Sequence, residues 1–537
     1  MSEISPKAFT VDHHPKSLDL SYLRLQNSKC CANKLPAELL LRIFVVGDEE
    51  QRARRKELSP YRGFQDLVTQ VCTHWRNVAI ENSSLWTYIY ISQPPPHNSA
   101  ALYLIRCGQS TLLDIDLRMT GRFFDKQPDS DNWDLKISRA NETIKFLAQH
   151  GAFISRWKSL IVSSRVSPAL YSTLEHIYPE SAPALQFLSV EWRPRRDHAS
   201  ALHDESRSID YLPAFEHICP GSDQPFSQLR HAEFIAAPSS FLFRRPLPIL
   251  VGLTRLKILC GFNLFPQEKL YALLSANPQL ESLDISMNSL NSNDDFEPAD
   301  YRVSLPHLRS LIITWNWSLS WALEVIQIVD DCTIERLALS GNIYRPEEAS
   351  LLAEQIINHA TGKDGTGTSP TSIHDPSLPC RRAYFALQHL DVSGLCFFGD
   401  DCTGAFIDLF SALPEITHLT APADIVTALA NQPSLLPRLE WIKLSGEPPE
   451  GFGRILYHRA QGGCPVKVLE IHEQTLELIQ DTLPESLLVI TVPSDIPIIY
   501  YDSDNGGEIE AGDWSEDSDS DYDDYPNIAN LHSYGSG

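Results

Sequence analysis

The chain has 537 residues, 43% of them hydrophobic and 21% charged, with a formal net charge of −25. That composition can bury a sizeable core and excludes a wholly disordered chain. Its acidity argues against a general affinity for nucleic acid or for anionic membranes.

No run of about 18 apolar residues is present, so a membrane span is not expected. The start, MSEISPKAFTVDHHPK, lacks the apolar stretch of a secretory signal. Eleven cysteines are scattered without any Cys-x-x-Cys spacing. That pattern reads as reduced, mostly buried thiols in an intracellular protein, cytoplasmic or nuclear. Composition divides the chain into a flexible start (1–33), a helical module (34–91), a Pro-rich linker (92–99), a repeat array (100–498) and a disordered acidic tail (499–537).

In the helical module Pro36 sits where a first helical turn tolerates it, and Leu39, Leu40, Ile43 and Phe44 follow at helical spacing. A second helical stretch carries Leu67, Val71, Trp75 and Val78 on one stripe, and Leu85 and Trp86 close the segment. Three short helices with this much apolar surface cannot bury it among themselves in fewer than about 60 residues, so the module should dock on a partner. Between the helices lies a charged insertion, Gly47–Gly63, expected as an exposed loop.

The order Leu35-Pro36-x-Glu38-Leu39-Leu40-x-x-Ile43-Phe44, Val71-Cys72-x-x-Trp75-Arg76, Leu85-Trp86 resembles an F-box. The resemblance implies binding to a Skp-type adaptor and, through it, to a cullin–RING ubiquitin ligase. Carried onto this chain, it makes Leu35, Pro36, Leu39, Ile43, Val71, Cys72, Trp75, Leu85 and Trp86 adaptor-contact or module-core candidates. The contact reading is preferred for Leu35, Pro36 and Trp86. Cys72 has no paired His or Cys and reads as a small buried residue, not a reactive thiol.

Beyond Pro94-Pro95-Pro96 the pattern apolar-x-x-apolar-x-apolar recurs, beginning at Leu112, Trp157, Leu185, Leu229, Leu253, Leu280, Leu308, Ile334, Leu387, Ile416, Leu439, Val466 and Leu487. From Leu253 onward the step is 21–29 residues, apart from one double step between Ile334 and Leu387. That period is the leucine-rich-repeat signature. Three units continue to an Asn at the ninth place, Asn288, Asn316 and Asn342, expected to bond backbone groups where the strand ends. Helical stretches at 267–276, 321–329 and 346–357 alternate with the strands, and Pro346-Glu347-Glu348 is a good helix start.

The expected fold is therefore α/β: a three-helix F-box, then an irregular leucine-rich-repeat horseshoe with parallel strands inside and helices outside. Insertions are expected near 193–222, with Arg193, Arg195 and Arg196, and near 359–382. Alternation along each strand sends the non-consensus residues to the concave side. Asp284, Thr314, Arg336, His389, Asp391, Trp441, Lys443 and Glu470 are the candidate substrate contacts there, beside Ser282, Ser286, Ile312, Ser340 and His472. Trp315, Trp317 and Trp321 could add an aromatic anchor or pack a turn.

No P-loop, His-Glu-x-x-His or Gly-x-Ser-x-Gly motif occurs, and Asp330-Asp331 and Asp400-Asp401 are adjacent pairs that do not converge. Neither a catalytic centre nor a metal or other cofactor is expected. In the tail, Tyr501–Tyr525 holds eleven acidic residues and no Lys or Arg. Ser518 and Ser520, each with Asp three residues on, suit acidophilic kinases, though a solubilising role is the plainer reading. The expected function is a substrate receptor of a Skp–cullin–F-box ligase, in an architecture that resembles large fungal families. The alternative is a non-enzymatic repeat scaffold, or an adaptor-bound regulatory subunit outside a cullin ligase.

Overall fold

The computed structural model of the chain describes residues 31–53, 63–120, 123–124, 133–177, 182–193, 226–237, 250–260, 267–287, 302–316, 319–330, 332–361, 384, 386–397, 403–432, 434–449, 451–479, 483–484 and 486–492. The expectations for the chain's start, the acidic tail, Asn288, Trp317, Asp331, Asp400, Asp401, Arg195, Arg196 and most of both insertions concern positions outside these residues. Among those described, the chain forms two units, one holding the residues up to Ile89 with Asn98–Thr111, the other Tyr90–His97 and the residues from Leu112.

The first unit is helical. It contains α1 (Ala37–Ala53), α2 (Phe64–Val71), α3 (Thr73–Glu81), a 3₁₀ turn at Ser83–Trp86 and α4 (Asn98–Cys107). Leu40, Phe44, Val68, Ala79, Leu85 and Trp86 are its core, joined by Tyr103 and Leu104 of α4. Two expectations change here. The stripe from Leu67 to Val78 is not one helix, because Cys72 is extended (φ −159°, ψ 171°) and its Sγ accepts the Trp75 N–H at 3.4 Å, capping α3. The supposed loop from Gly47 is helical as far as Ala53. Gly47 is kept in that helix by packing: a Cβ there would collide with the Phe64 ring. The close approach offsets the roughly 1 kcal/mol that a mid-helix glycine costs.

The second unit is built on a sheet of fourteen strands. Twelve of its strand pairings, covering every neighbour pair from β2 to β16, are parallel. Strand β1 (Tyr88–Ile91), where the chain passes from the first unit to the second, leads it. Then follow β2 (Leu113–Met119), β3 (Trp157–Ser164), β4 (Phe187–Trp192), β5 (His231–Ile235), β6 (Arg255–Cys260) and β7 (Ser282–Met287). A two-residue strand β8 (Val303–Ser304) pairs separately with β10 (Val329–Asp330). The main sheet continues through β9 (Ser310–Trp315), β11 (Arg336–Ile343), β12 (His389–Phe397), β13 (His418–Pro422), β14 (Trp441–Ser445), β15 (Val468–His472) and β16 (Leu488–Val492).

All thirteen apolar-x-x-apolar-x-apolar stretches are thus strands of one sheet, in chain order. Helices lie between many of them: α5 (Trp133–Gln149), α6 (Ser167–Ile177), α7 (Gln267–Ser275), α8 (Leu319–Ile328) and α9 (Pro346–Thr361), then α10 (Thr403–Ala412), α11 (Ala423–Asn431), α12 (Phe452–Gln461) and α13 (Glu473–Ile479).

Burial alternates along the strands, clearly so in β9, β11, β13 and β15. One face, with Leu283, Ile285, Leu311, Ile313, Leu337 and Leu339, is interior; the other is half-exposed along β9, β11, β13 and β15 but buried at Asp116, Ser189, Glu191 and Ser286. The first position of the pattern is interior too, from Trp157 to Val466. Leu112 is an exception at 41% exposed: a register shift after Leu113 puts Leu113 opposite Trp157 instead.

The buried-asparagine expectation is met differently. Asn342 donates to the Asn316 carbonyl at 3.1 Å, while the Asn316 amide nitrogen is buried without a partner. Fully buried Asn277, in the turn before β7, does the larger job. It donates to the Leu250 and Leu273 carbonyls and accepts from the Leu253 N–H. Trp315 and Trp321 pack inward, and the Trp315 indole covers Gly341 and donates to the Asn342 carbonyl at 3.2 Å. Arg193 pairs with Glu191 at 2.7 Å.

Candidate functional site

Two surfaces stand out, one on each unit. On the first, α1 presents Leu39, Ile43 and Val46 at 51%, 49% and 55% exposure, an i, i+4, i+7 stripe on one helical face. Leu67 and Val71 of α2 and Ile80 of α3 are also exposed. Six large aliphatic side chains left in water on three short helices are a surface awaiting cover.

The nine residues singled out in this unit divide by depth. Leu39, Ile43 and Val71 are exposed, Pro36 is exposed, and Leu35, Cys72 and Trp75 are half-buried. Leu85 and Trp86 are interior at 1% and 0%. Trp86 is therefore a core residue in this chain, not a surface contact. Its indole donates to the Ala79 carbonyl at 2.8 Å, meets the Tyr103 ring edge-on at 5.2 Å and lies under the Arg106 guanidinium. Tyr103 in turn donates to Asp66 at 2.5 Å. Val46 and Ile80 were missed from sequence, and Leu67, placed in the apolar stripe, was not taken as a contact. Reading α2 and α3 as one helix hid which of their residues face outward.

On the second unit the half-exposed sheet face carries the other candidates. Asp284, Thr314, His389, Asp391, Trp441 and Glu470 are half-buried, and Arg336 and Lys443 are exposed. Parallel register places several in rows across the strands. Arg336 stands beside His389, His389 beside His418, and His418 beside Trp441. The two imidazoles stack at 4.1 Å and 25°, and the His418 ring lies 5.4 Å from Trp441. Burial, then His418 and Arg336, hold His389 below the ordinary histidine range, with Glu335 opposing. Burial also lowers His418, against the pull of Glu440. Both rings are thus biased toward the neutral form and make, with Trp441, an aromatic platform ending at the Arg336 cation.

In the adjoining row Lys257 pairs with Asp284 at 3.0 Å and Lys443 with Glu470 at 2.6 Å. Asp391 is turned to its own backbone, accepting from the Ser393 N–H and hydroxyl. Arg255, Ser310 and His418 belong to this face but escaped the sequence reading, since only the register identifies which residues share a row.

Among the described residues no group of three or more His, Cys, Asp or Glu side chains could hold a metal ion. Among them also, no helix is long and apolar enough to cross a membrane. Residues 32–92 match the F-box-like family. No curated protein matches the chain. The matched span covers α1 to β1 and holds these six exposed aliphatic residues, whereas Leu102 and Ile105 of α4, exposed as well, lie beyond it. The chain carries an F-box-like domain, and such domains generally bind Skp-type adaptors.

Proposed function

We propose that this protein is the substrate-recognition subunit of a Skp–cullin–F-box ubiquitin ligase, with no covalent chemistry of its own. The observation that carries the reading is the exposed aliphatic surface of Leu39, Ile43, Val46, Leu67, Val71 and Ile80 inside the matched F-box-like span. Covering roughly six such side chains supplies the apolar core of a protein interface. The second unit is read as a leucine-rich-repeat array; the 21–29 residue period and the strictly sequential parallel strands support that. Its half-exposed face would hold the substrate, and the ligase-bound conjugating enzyme then meets a substrate lysine at high effective concentration. Such a receptor works inside the cell, in cytoplasm or nucleus.

The test is co-expression with a Skp-type adaptor and size-exclusion chromatography. The wild-type chain should elute with the adaptor, and with a cullin when one is co-expressed. Ile43→Asp/Val71→Asp should lose the adaptor while keeping its thermal transition, since both side chains are already in water. Retained co-elution of that variant would defeat the proposal.

A further inference from the structure

One register row of the open sheet face runs His231, Arg255, Ser282, Ser310, Arg336, His389, His418, Trp441 across β5 to β14. Its two arginines differ from the other cations of this face. Lys257, Lys443 and Arg118 each have a carboxylate within 3.3 Å, and His231 has Glu233 at 3.2 Å. Arg255 and Arg336 are exposed and have no ion-pair partner among the described residues. In a chain of net charge −25, two uncompensated guanidinium groups share one row, with the Ser282 and Ser310 hydroxyls between them.

The spacing is regular. Arg255 on β6 and Arg336 on β11 are three strands apart, and so are Arg336 and Trp441 on β14. Three steps of about 4.8 Å make about 14 Å, which about four residues of extended chain at roughly 3.4 Å each also span. Side chains four apart in an extended peptide lie on the same side.

We propose that this row is a docking strip for an extended acidic segment of a partner protein. The segment sets one carboxylate on Arg255, a second on Arg336 four residues later, and an aromatic side chain against the His418–Trp441 platform four residues after that. The guanidinium fork suits a carboxylate, and a flat indole suits a ring stacked on it. The inference rests on the reading that this face receives a substrate, and it names that substrate's chemistry.

The probe is a fluorescein-labelled nonapeptide with glutamate at its first and fifth positions, tryptophan at its ninth, and serine or glycine elsewhere, titrated with the full chain by anisotropy. Saturable binding is expected, weakened at least threefold by Arg255→Ala or Arg336→Ala and about tenfold by both. It should also weaken with Trp441→Ala and with added salt. All three side chains already stand on the open face, and circular dichroism checks that each variant folds.

No saturable binding, or equal binding of a peptide whose two glutamates are adjacent, overturns the proposal. Binding that appears only after residues 501–525 are removed overturns it in favour of the chain's own acidic segment. Adaptor co-elution is measured on the same preparation. A chain that binds adaptor but not peptide refutes the acidic ligand alone, whereas loss of adaptor binding counts against the ligase reading.

Discussion

The guanidinium of Arg106 lies 4.2 Å over the ring of Trp86. This contact ties α4, beyond the end of the matched residues 32–92, to a fully buried side chain of the F-box-like domain. The folded module is therefore longer than its sequence signature. Trp86→Ala should destabilise the first unit by about 3–5 kcal/mol, the range for a large aromatic removed from a core. Arg106→Ala should cost about 0.5–2 kcal/mol, the worth of a cation–π contact. Denaturant unfolding of the full chain, followed by a probe in this unit, measures both. A Trp86→Ala chain of unchanged stability would contradict the burial.

Gly47 and Phe64 make a second test of packing. Gly47→Val places its side chain in the volume that the Phe64 ring occupies. Overpacking of that kind costs about 1–3 kcal/mol. Pairing it with Phe64→Ala should make the two effects less than additive, since the smaller ring site accepts the added carbons. Strict additivity in a double-mutant cycle would show that the two do not touch.

In the second unit Asn277 bridges the Leu250 carbonyl, the Leu253 N–H and its own helix end at Leu273. Asn277→Leu leaves these buried groups without their partner, and each orphan costs about 1–3 kcal/mol. Amide hydrogen exchange should accelerate at Leu253 in that variant. Unaltered protection there would mean that the side chain is not what holds the turn.

The histidine stack makes the second unit sensitive to acid. His389 and His418 sit below the ordinary value of 6.5 when folded, and burial likewise lowers His97. The unfolded chain then binds more protons than the folded one as pH falls below about 6.5. Stability is whole above that value and declines on acidification. His389→Gln/His418→Gln should flatten the decline in a plot of melting temperature against pH between about 5 and 7. A slope equal to that of the wild type would show that the stack does not contribute.

Much of this arrangement is visible along the chain because it is periodic. Each of the thirteen apolar stretches needs only its own Leu, Ile or Val spacing to become a strand, and the period places consecutive strands side by side. Pro346-Glu347-Glu348 likewise marks the start of α9 from local preference alone. The F-box-like segment was legible as an ordered set of residue types. Its depth profile was not: Trp86 and Ile43 are both large and apolar, yet one is 0% and the other 49% exposed.

The sequence by itself determined the F-box-like segment, the strands and the residue types offered to partners, because these follow from local periodicity and composition. Only the tertiary structure decided which apolar residues face water and which side chains meet across strands. The break at Cys72, the helix through Gly47 beneath Phe64 and the arrival of α4 on Trp86 turn the first unit's faces. Parallel register brings Arg336, His389, His418 and Trp441 into one row from four separate repeats. Burial and juxtaposition are set by contacts between segments distant in the chain, and one-dimensional spacing does not encode them.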